Sequence, residues 1–429
     1  MSAILKTKTD DKCSCILVMK YRKDIDGLRA IAVMLVIFCH LGMDLFKGGY
    51  LGVDIFFVIS GFLITLNITQ KLNDNVFSFK KFYLNRIKRI APVLVVILLI
   101  LTIFNTLVLL PEPLKNYYDF LPYALLGLGN IAAADLSHGY FDAVSERYQL
   151  LHTWSLGVEE QFYLVVPVLF VLIWKIGNIK LRNLLVTLIF VFSVGISVYF
   201  VQFGQDVQAN YYLLHTRFFE IFTGSMLAIF WHKAPKIKSS TLMEVAYVLV
   251  LMGFLFCSFI FDGKSPWPGI NALYVSVLTA AAIFLGKENH GLSLTKKLME
   301  LPAMRFIGKI SYSLYLWHWI IIATFVELGY DVNRFSILEK MTLLFVVMIP
   351  ISFLSWKYIE NTFRFKISYK FRYALALWVI LPFLCGLGLM NYAANKPDIF
   401  FDKAEIDATS YKFSYTTTPH VNIGNNTLT

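Results

Sequence analysis

The first apolar stretch carries two residues that do not belong to a plain membrane span. It begins Asp26-Gly-Leu-Arg29 and stays apolar up to His40. On an α-helix, Arg29 and His40 share a face roughly 16 Å apart. An arginine at the edge of an apolar helix is ordinary. A histidine some two-thirds of the way across a membrane is costly and marks a function. Imidazole can accept and return a proton near neutral pH, the chemistry needed to activate a hydroxyl.

Other polar residues recur at similar depth. Arg86 and Arg89 lie three apart, on one helical face. They read either as a positive-inside anchor or as a fork for phosphate. His152 and Glu159 are seven apart and share a face, with Ser155 between them and Glu160 beside them. Glu159 or Glu160 reads as an interior hydrogen-bonding or acid/base group, and Glu160 also as a residue facing water. Arg217 and Glu220 are spaced for an intrahelical ion pair. Ser311, Tyr315 and His318 form one polar, aromatic stripe. Asp54 follows a Gly-rich turn that is expected to bring it back beside His40, or else starts a helix as a dipole-stabilised carboxylate. Glu360 is expected to pair with Arg86 or Arg89, or to help hold a ligand there. Sorted by depth, the arginines Arg29, Arg86, Arg89 and Arg305 lie at one end with Glu360. The histidines, Asp54, Glu159, Arg217 and Glu220 lie from the middle to the other end. This predicts a cavity with a basic mouth and a titratable middle, into which a phosphate-bearing donor enters and from which a reactive group is handed across.

The elements that position these groups are helices. The chain has 429 residues, of which 57% are hydrophobic and only 16% charged, with a mean hydropathy of +0.63. A soluble domain carries about 25% charge. Repeated apolar runs of about 20 residues predict an all-α integral membrane protein, and the alternating short segments of a β-barrel are absent. About eleven spans are expected, near 28–46, 50–69, 90–110, 154–174, 181–201, 211–231, 241–261, 269–286, 305–326, 338–360 and 372–391. The stretch 120–134 is short and broken by Pro122 and glycines, and reads as re-entrant or interfacial. With the N-terminus in the cytoplasm, loops bearing Lys80, Lys81, Lys175, Lys180, Arg182, Lys366 and Lys370 fall inside, leaving few basic residues outside. The odd count puts the C-terminus outside. The net charge of +11 is therefore topological, and nucleic acid is not expected as a partner. The five cysteines show no zinc or disulfide spacing, and no metal is expected.

The chain resembles the membrane-bound acyltransferase family 3, the bacterial O-acetylases of lipopolysaccharide, peptidoglycan and other glycans. The resemblance rests on five segments in order: Asp24-Ile-Asp-Gly-Leu-Arg29-Ala-Ile-Ala-Val, Gly52-Val-Asp54-Ile-Phe-Phe-Val-Ile-Ser60-Gly61, Arg86-x-x-Arg89-Ile-x-Pro92, His152-Thr-Trp-Ser-Leu-Gly-Val-Glu159-Glu160-Gln-Phe-Tyr163, and Ser311-Tyr-Ser-Leu-Tyr-Leu-Trp-His318. It implies a bundle of about ten helices over residues 24–365, followed by an extra span at 372–391 and a linker-like periplasmic tail at 392–429, after a cytoplasmic segment at 1–23. It implies acetyl-CoA as donor substrate, with no bound cofactor, and a cell-envelope glycan such as lipopolysaccharide O-antigen as acceptor. It also implies Arg29, Arg86 and Arg89 near the donor and His40 as base or acyl relay, with Glu159 and His318 in the catalytic set. Asp54, His152, Ser155, Glu160, Arg217, Glu220, Ser311 and Tyr315 are expected on the acceptor side or in structural roles. Fused relatives continue into a periplasmic SGNH-type domain, expected here as a missing partner. The setting implied is a multi-pass protein of the bacterial inner membrane. The rival readings are a secondary transporter or flippase that uses the same buried charges, and a membrane scaffold.

Overall fold

The computed structural model describes residues 21–136, 147–204, 206–231, 239–286 and 294–395. Most of the expected cytoplasmic N-terminal segment and nearly all of the expected tail lie outside these residues. Among them the secondary structure is helical throughout, with no strand. The protein is an all-α integral membrane protein. Among the described residues, seven helices are long and apolar enough to cross a bilayer. The other expected spans are helical too, but are shorter or carry the polar residues of the interior.

The order is α1 (Lys23–His40), α2 (Gly52–Asn73), α3 (Phe79–Val108), α4 (Pro111–Leu125), α5 (Gly129–Leu136), α6 (Thr153–Trp174), α7 (Ile179–Phe203), α8 (Val207–Tyr212), α9 (Leu214–Phe230), α10 (Ser240–Ile260), α11 (Gly269–Leu285), α12 (Leu294–Met299) and α13 (Pro302–Glu327). Then come α14 (Ile337–Lys366) and α15 (Phe371–Ala393). Helix α14 is interrupted by wider i→i+5 turns at Leu343–Met348, Ser355–Glu360 and Thr362–Lys366.

Helix α2 is the axis of the bundle, packed by α1, α6, α9 and α11, while α13 lies along α1. Their apolar faces, including Val36, Ile55, Phe62, Phe219 and Leu316, form the core. Gly61 and Gly224 let α2 and α9 approach closely. A Cβ at Gly61 would fall 1.7 Å from the Ile221 carbonyl oxygen, and one at Gly224 would fall 2.0 Å from that of Val58.

Two expected boundaries are corrected. Helix α1 stops at His40 and does not run to 46. The chain turns at Gly42, whose φ of +64° leaves the helical region, and continues through short turns at Asp44–Phe46 and Gly49–Leu51. His40 therefore sits in the last turn, not part-way along a longer helix. Helix α3 starts at Phe79, not at 90, because the Ser78 side chain caps it. Arg86 and Arg89 thus ride on the span itself.

The segment 120–134, expected to be re-entrant or interfacial, falls on a helical hairpin, α4–α5, with its tip at Leu126–Leu128. The tip borders the same space as Arg86 and Leu94 of α3. It therefore reaches about 20–30 Å below the far end of α3 at Val108. Non-helical backbone at that depth is tolerated because protein surrounds it: a Cβ at Gly127 would land 1.8 Å from the Glu160 carboxylate.

Candidate functional site

About 870 Å³ of space lies between α1, α2, α3, α6 and α13. Arg29 enters it from α1, and Arg86 and Arg89 from α3. The cap at Ser78 and the three-residue spacing put both α3 arginines on one side of that helix. Glu159 faces the same space from α6. The Tyr163 hydroxyl, one turn on, donates to Glu159 Oε2 at 2.8 Å and lies 2.5 Å from Ser60 Oγ. The Arg86 guanidinium lies 5.8 Å from the Tyr163 ring centroid. At the edge, Glu360 is bonded by Arg364 at 3.4 Å, with Arg89 and Arg29 within charge reach. The lining of the chamber thus holds three guanidiniums and one carboxylate, an excess of positive charge in a largely apolar enclosure. Such a chamber is matched to an anionic occupant, since forked donors without acceptors are costly there.

Ser311 and Tyr315 of α13 and Ser155 of α6 close the other end of the chamber. The Tyr315 hydroxyl lies 2.8 Å from Ser155 Oγ and donates to the His152 carbonyl oxygen at 3.1 Å. Beyond Tyr315 stand two stacked imidazoles. His40 Nδ1 is 3.1 Å from His318 Nε2, and the rings are 15° from parallel. Trp319 packs edge-on against His40, and Tyr315 sits 5.3 Å from the His318 ring. The histidines do not line the basic chamber; the Tyr315 side chain is the partition between them. His152 is buried beside Tyr315.

A third group lies apart from both. Arg217 Nη1 donates to Asp54 Oδ1 and to Glu220 Oε1, each at 3.1 Å, and its Nε donates to the Tyr211 carbonyl oxygen at 2.7 Å. The guanidinium lies against the rings of Tyr211 and Trp154, and all three charged side chains are at most 1% exposed. The cluster ties α2 to α9 at the level of the first turn of α2.

The structure thus gathers Arg29, Arg86, Arg89, Ser155, Glu159, Ser311 and Tyr315 around one space, and His40 and His318 just beyond it. It separates Asp54, Arg217 and Glu220 from both. The expectation that Asp54 returns to His40 is corrected: the turn does seat Gly49 and Gly52 on α1, but the first turn of α2 points Asp54 at α9 instead. Glu160 does not enter the basic chamber; it is half-buried under the hairpin tip and borders a second space. Glu360 takes Arg364, one turn along its own helix, as its bonded partner in place of the expected Arg86 or Arg89. Sequence reasoning assigned no role to Tyr163, Ser60 or Tyr312. The i,i+4 spacing of Glu159 and Tyr163 was a usable signal. Tyr312, which donates to the Ile90 carbonyl oxygen at 2.9 Å and ties α13 to α3, had none.

Comparison with known proteins gives the family of the chain. The family model described as an acyltransferase domain (Acyl_transf_3) matches residues 22–357. A Staphylococcus aureus protein assigned by name as an O-acetyltransferase is 30% identical over 424 residues, covering 92% of this chain and 68% of its own length. The peptidoglycan O-acetyltransferase OatA of Listeria monocytogenes is 31% identical over 354 residues, which is 80% of this chain and 56% of that protein. The S. aureus O-acetyltransferase OatA is 30% identical over 357 residues, 81% of this chain and 58% of that protein. No solved structure matches. The matched region takes in the basic chamber, the Tyr315 partition and the histidine pair, and the chain belongs to the acyltransferase 3 family as a multi-pass membrane enzyme that transfers acyl groups.

Proposed function

We propose that the protein takes an acetyl group from acetyl-CoA at its basic end and delivers it to a hydroxyl of a cell-envelope glycan at its histidine end. The observation that carries this reading is the single chamber that has three arginines and stops at Tyr315 directly below the His40–His318 pair. CoA is polyanionic, and Arg29, Arg86 and Arg89 supply forked donors for its phosphates. The acceptor hydroxyl loses its proton to the histidine pair as its oxygen bonds to the thioester carbonyl carbon. The C–S bond then breaks, and the thiol leaves with a proton. A proton taken by one imidazole is shared with the other across the 3.1 Å contact. The name of the Listeria relative, a peptidoglycan O-acetyltransferase, favours peptidoglycan over lipopolysaccharide as the acceptor. The excess of Lys and Arg at the basic end, such as Lys80, Lys81, Lys175 and Lys370, supports a cytoplasmic position for that end. His40 and the C-terminus then lie on the extracytoplasmic side, where a further domain of the fused type would complete delivery.

The test is His40→Ala, with membrane insertion verified. Glycan O-acetylation is expected to fall at least about a hundredfold, the range for losing a general base. Undiminished acetylation would sink the assignment. Consumption of acetyl-CoA by membranes holding the native chain separates this reading from a transporter, which leaves the thioester intact.

A further inference from the structure

A second space, about 1150 Å³, lies outside the basic chamber and shares only a wall with it. It runs between α3, the tip of the α4–α5 hairpin, α6 and α15. Its walls are mostly apolar, with Leu94, Val95, Leu125, Leu375 and Trp378 among them, and Arg86, Glu160 and Gln161 are the polar groups on the α3 and α6 sides. Arg86, Ile90 and Tyr163 border both spaces. Helix α15 lies beyond residues 22–357, the region that the family model matches.

The dimensions and charges of the crevice point to one occupant. From Tyr83 to Val95 along α3 it is about 18 Å long, roughly the depth of one leaflet of a hydrocarbon core about 30 Å thick. Along its apolar stretch, from Leu94 and Val95 to Leu375 and Trp378, water would find few hydrogen-bond partners. At the shallow end the crevice opens where α3 and α15 both begin. Lys80, Lys81, Lys370 and Arg372 are exposed there, and none pairs with a carboxylate among the described residues. Lys71 lies within charge reach of Lys81 and Arg86, and Arg86 keeps a buried Nε without a partner among the described residues. Uncompensated positive charge at the mouth of an apolar slot one leaflet deep is complementary to an acidic headgroup carrying an acyl chain.

We propose that this crevice is a binding site for an anionic phospholipid of the leaflet at the basic end. Its chain lies between α3 and α15 against Trp378, and its phosphate sits among Lys80, Lys81 and Arg372. The lipid forms the outer wall behind Arg86 and Tyr163. It holds α15 to the core and shields the back of Arg86 from water. The proposal does not depend on which donor occupies the basic chamber.

The experiment uses the full chain in vesicles containing phospholipids brominated in mid-chain, which quench tryptophan on contact. The signal of Trp378 is taken as the difference between the native protein and Trp378→Phe. Trp378 is only 9% exposed, so a chain that stays on the outer surface does not reach it. Brominated phosphatidylglycerol is expected to quench Trp378 with about fivefold higher apparent affinity than brominated phosphatidylcholine, the effect of about one basic side chain near the surface. The double variant Lys81→Glu/Arg372→Glu is expected to lose that preference and keep quenching by phosphatidylcholine. Equal quenching of Trp378 by both lipids in the native protein overturns the headgroup assignment. Absence of quenching by either overturns the crevice as a lipid site.

Discussion

The buried cluster of Asp54, Arg217 and Glu220 is a case in which counting charges decides the outcome of mutation. Two carboxylates share one guanidinium with almost no exposure. Removing the guanidinium strands both, so Arg217→Ala is expected to cost about 3–5 kcal/mol and to lower the thermal midpoint of the detergent-solubilised protein sharply. Asp54→Asn leaves one carboxylate for one guanidinium, keeps the hydrogen bond, and is expected to cost less than about 1 kcal/mol. Equal losses in the two variants would mean that the cluster is not held by charge balance. In the basic chamber the expected effect is on binding. Arg89→Ala is expected to raise the acetyl-CoA KM about tenfold, as for one charge-assisted bond of about 1.5 kcal/mol, with kcat less affected; a fall in kcat alone would place Arg89 away from the donor. These residues were legible because membrane interiors make polar residues conspicuous. The partners of Asp54 and Glu360 were not, because direction around a helix depends on where its first turn begins, and hydropathy does not mark that turn.

At the scale of elements, the sequence pattern located the helices well and their ends poorly. That 120–134 is not a plain span was legible because it is short and interrupted by Pro122 and glycines; its pairing with Pro111–Phe120 as a hairpin was not. The end of α1 was not, since Leu41 and Met43 continue the apolar run past the turn at Gly42. The early start of α3 was hidden by its charged first turns, which read as loop. Close packing of α2 on α9 sets how the cluster and the chamber meet, because α2 also carries Ser60. Gly224→Leu adds a side chain where a Cβ alone would sit 2.0 Å from the Val58 carbonyl oxygen and 2.5 Å from the Phe62 nitrogen. The helices must separate, stretching the Asp54–Arg217 bond on the same interface. Both thermal stability and transfer activity are expected to fall, by about 3 kcal/mol or more in stability, as for overpacking in a rigid core. Near-native stability in a calorimetric or aggregation scan would show that the α2–α9 contact yields more easily than its geometry suggests.

Across the whole molecule, charge is sorted lengthwise. Guanidiniums gather in the chamber at one end, while Tyr315, Ser155 and the stacked imidazoles occupy the other. For the donor held as proposed, the phosphates stay on the arginines, and only an uncharged two-carbon group passes Tyr315. Moving one elementary charge through the membrane field involves about 2.3 kcal/mol per 100 mV, and moving a neutral acyl group involves none. Transfer rates in vesicles are therefore expected to stay the same when the membrane potential is imposed, reversed or collapsed with an ionophore. A rate that follows the voltage would mean that the charged donor itself is carried across. In the proposed arrangement the fold acts as an insulator around one neutral passage, and the thioester, not the voltage, supplies the drive for export.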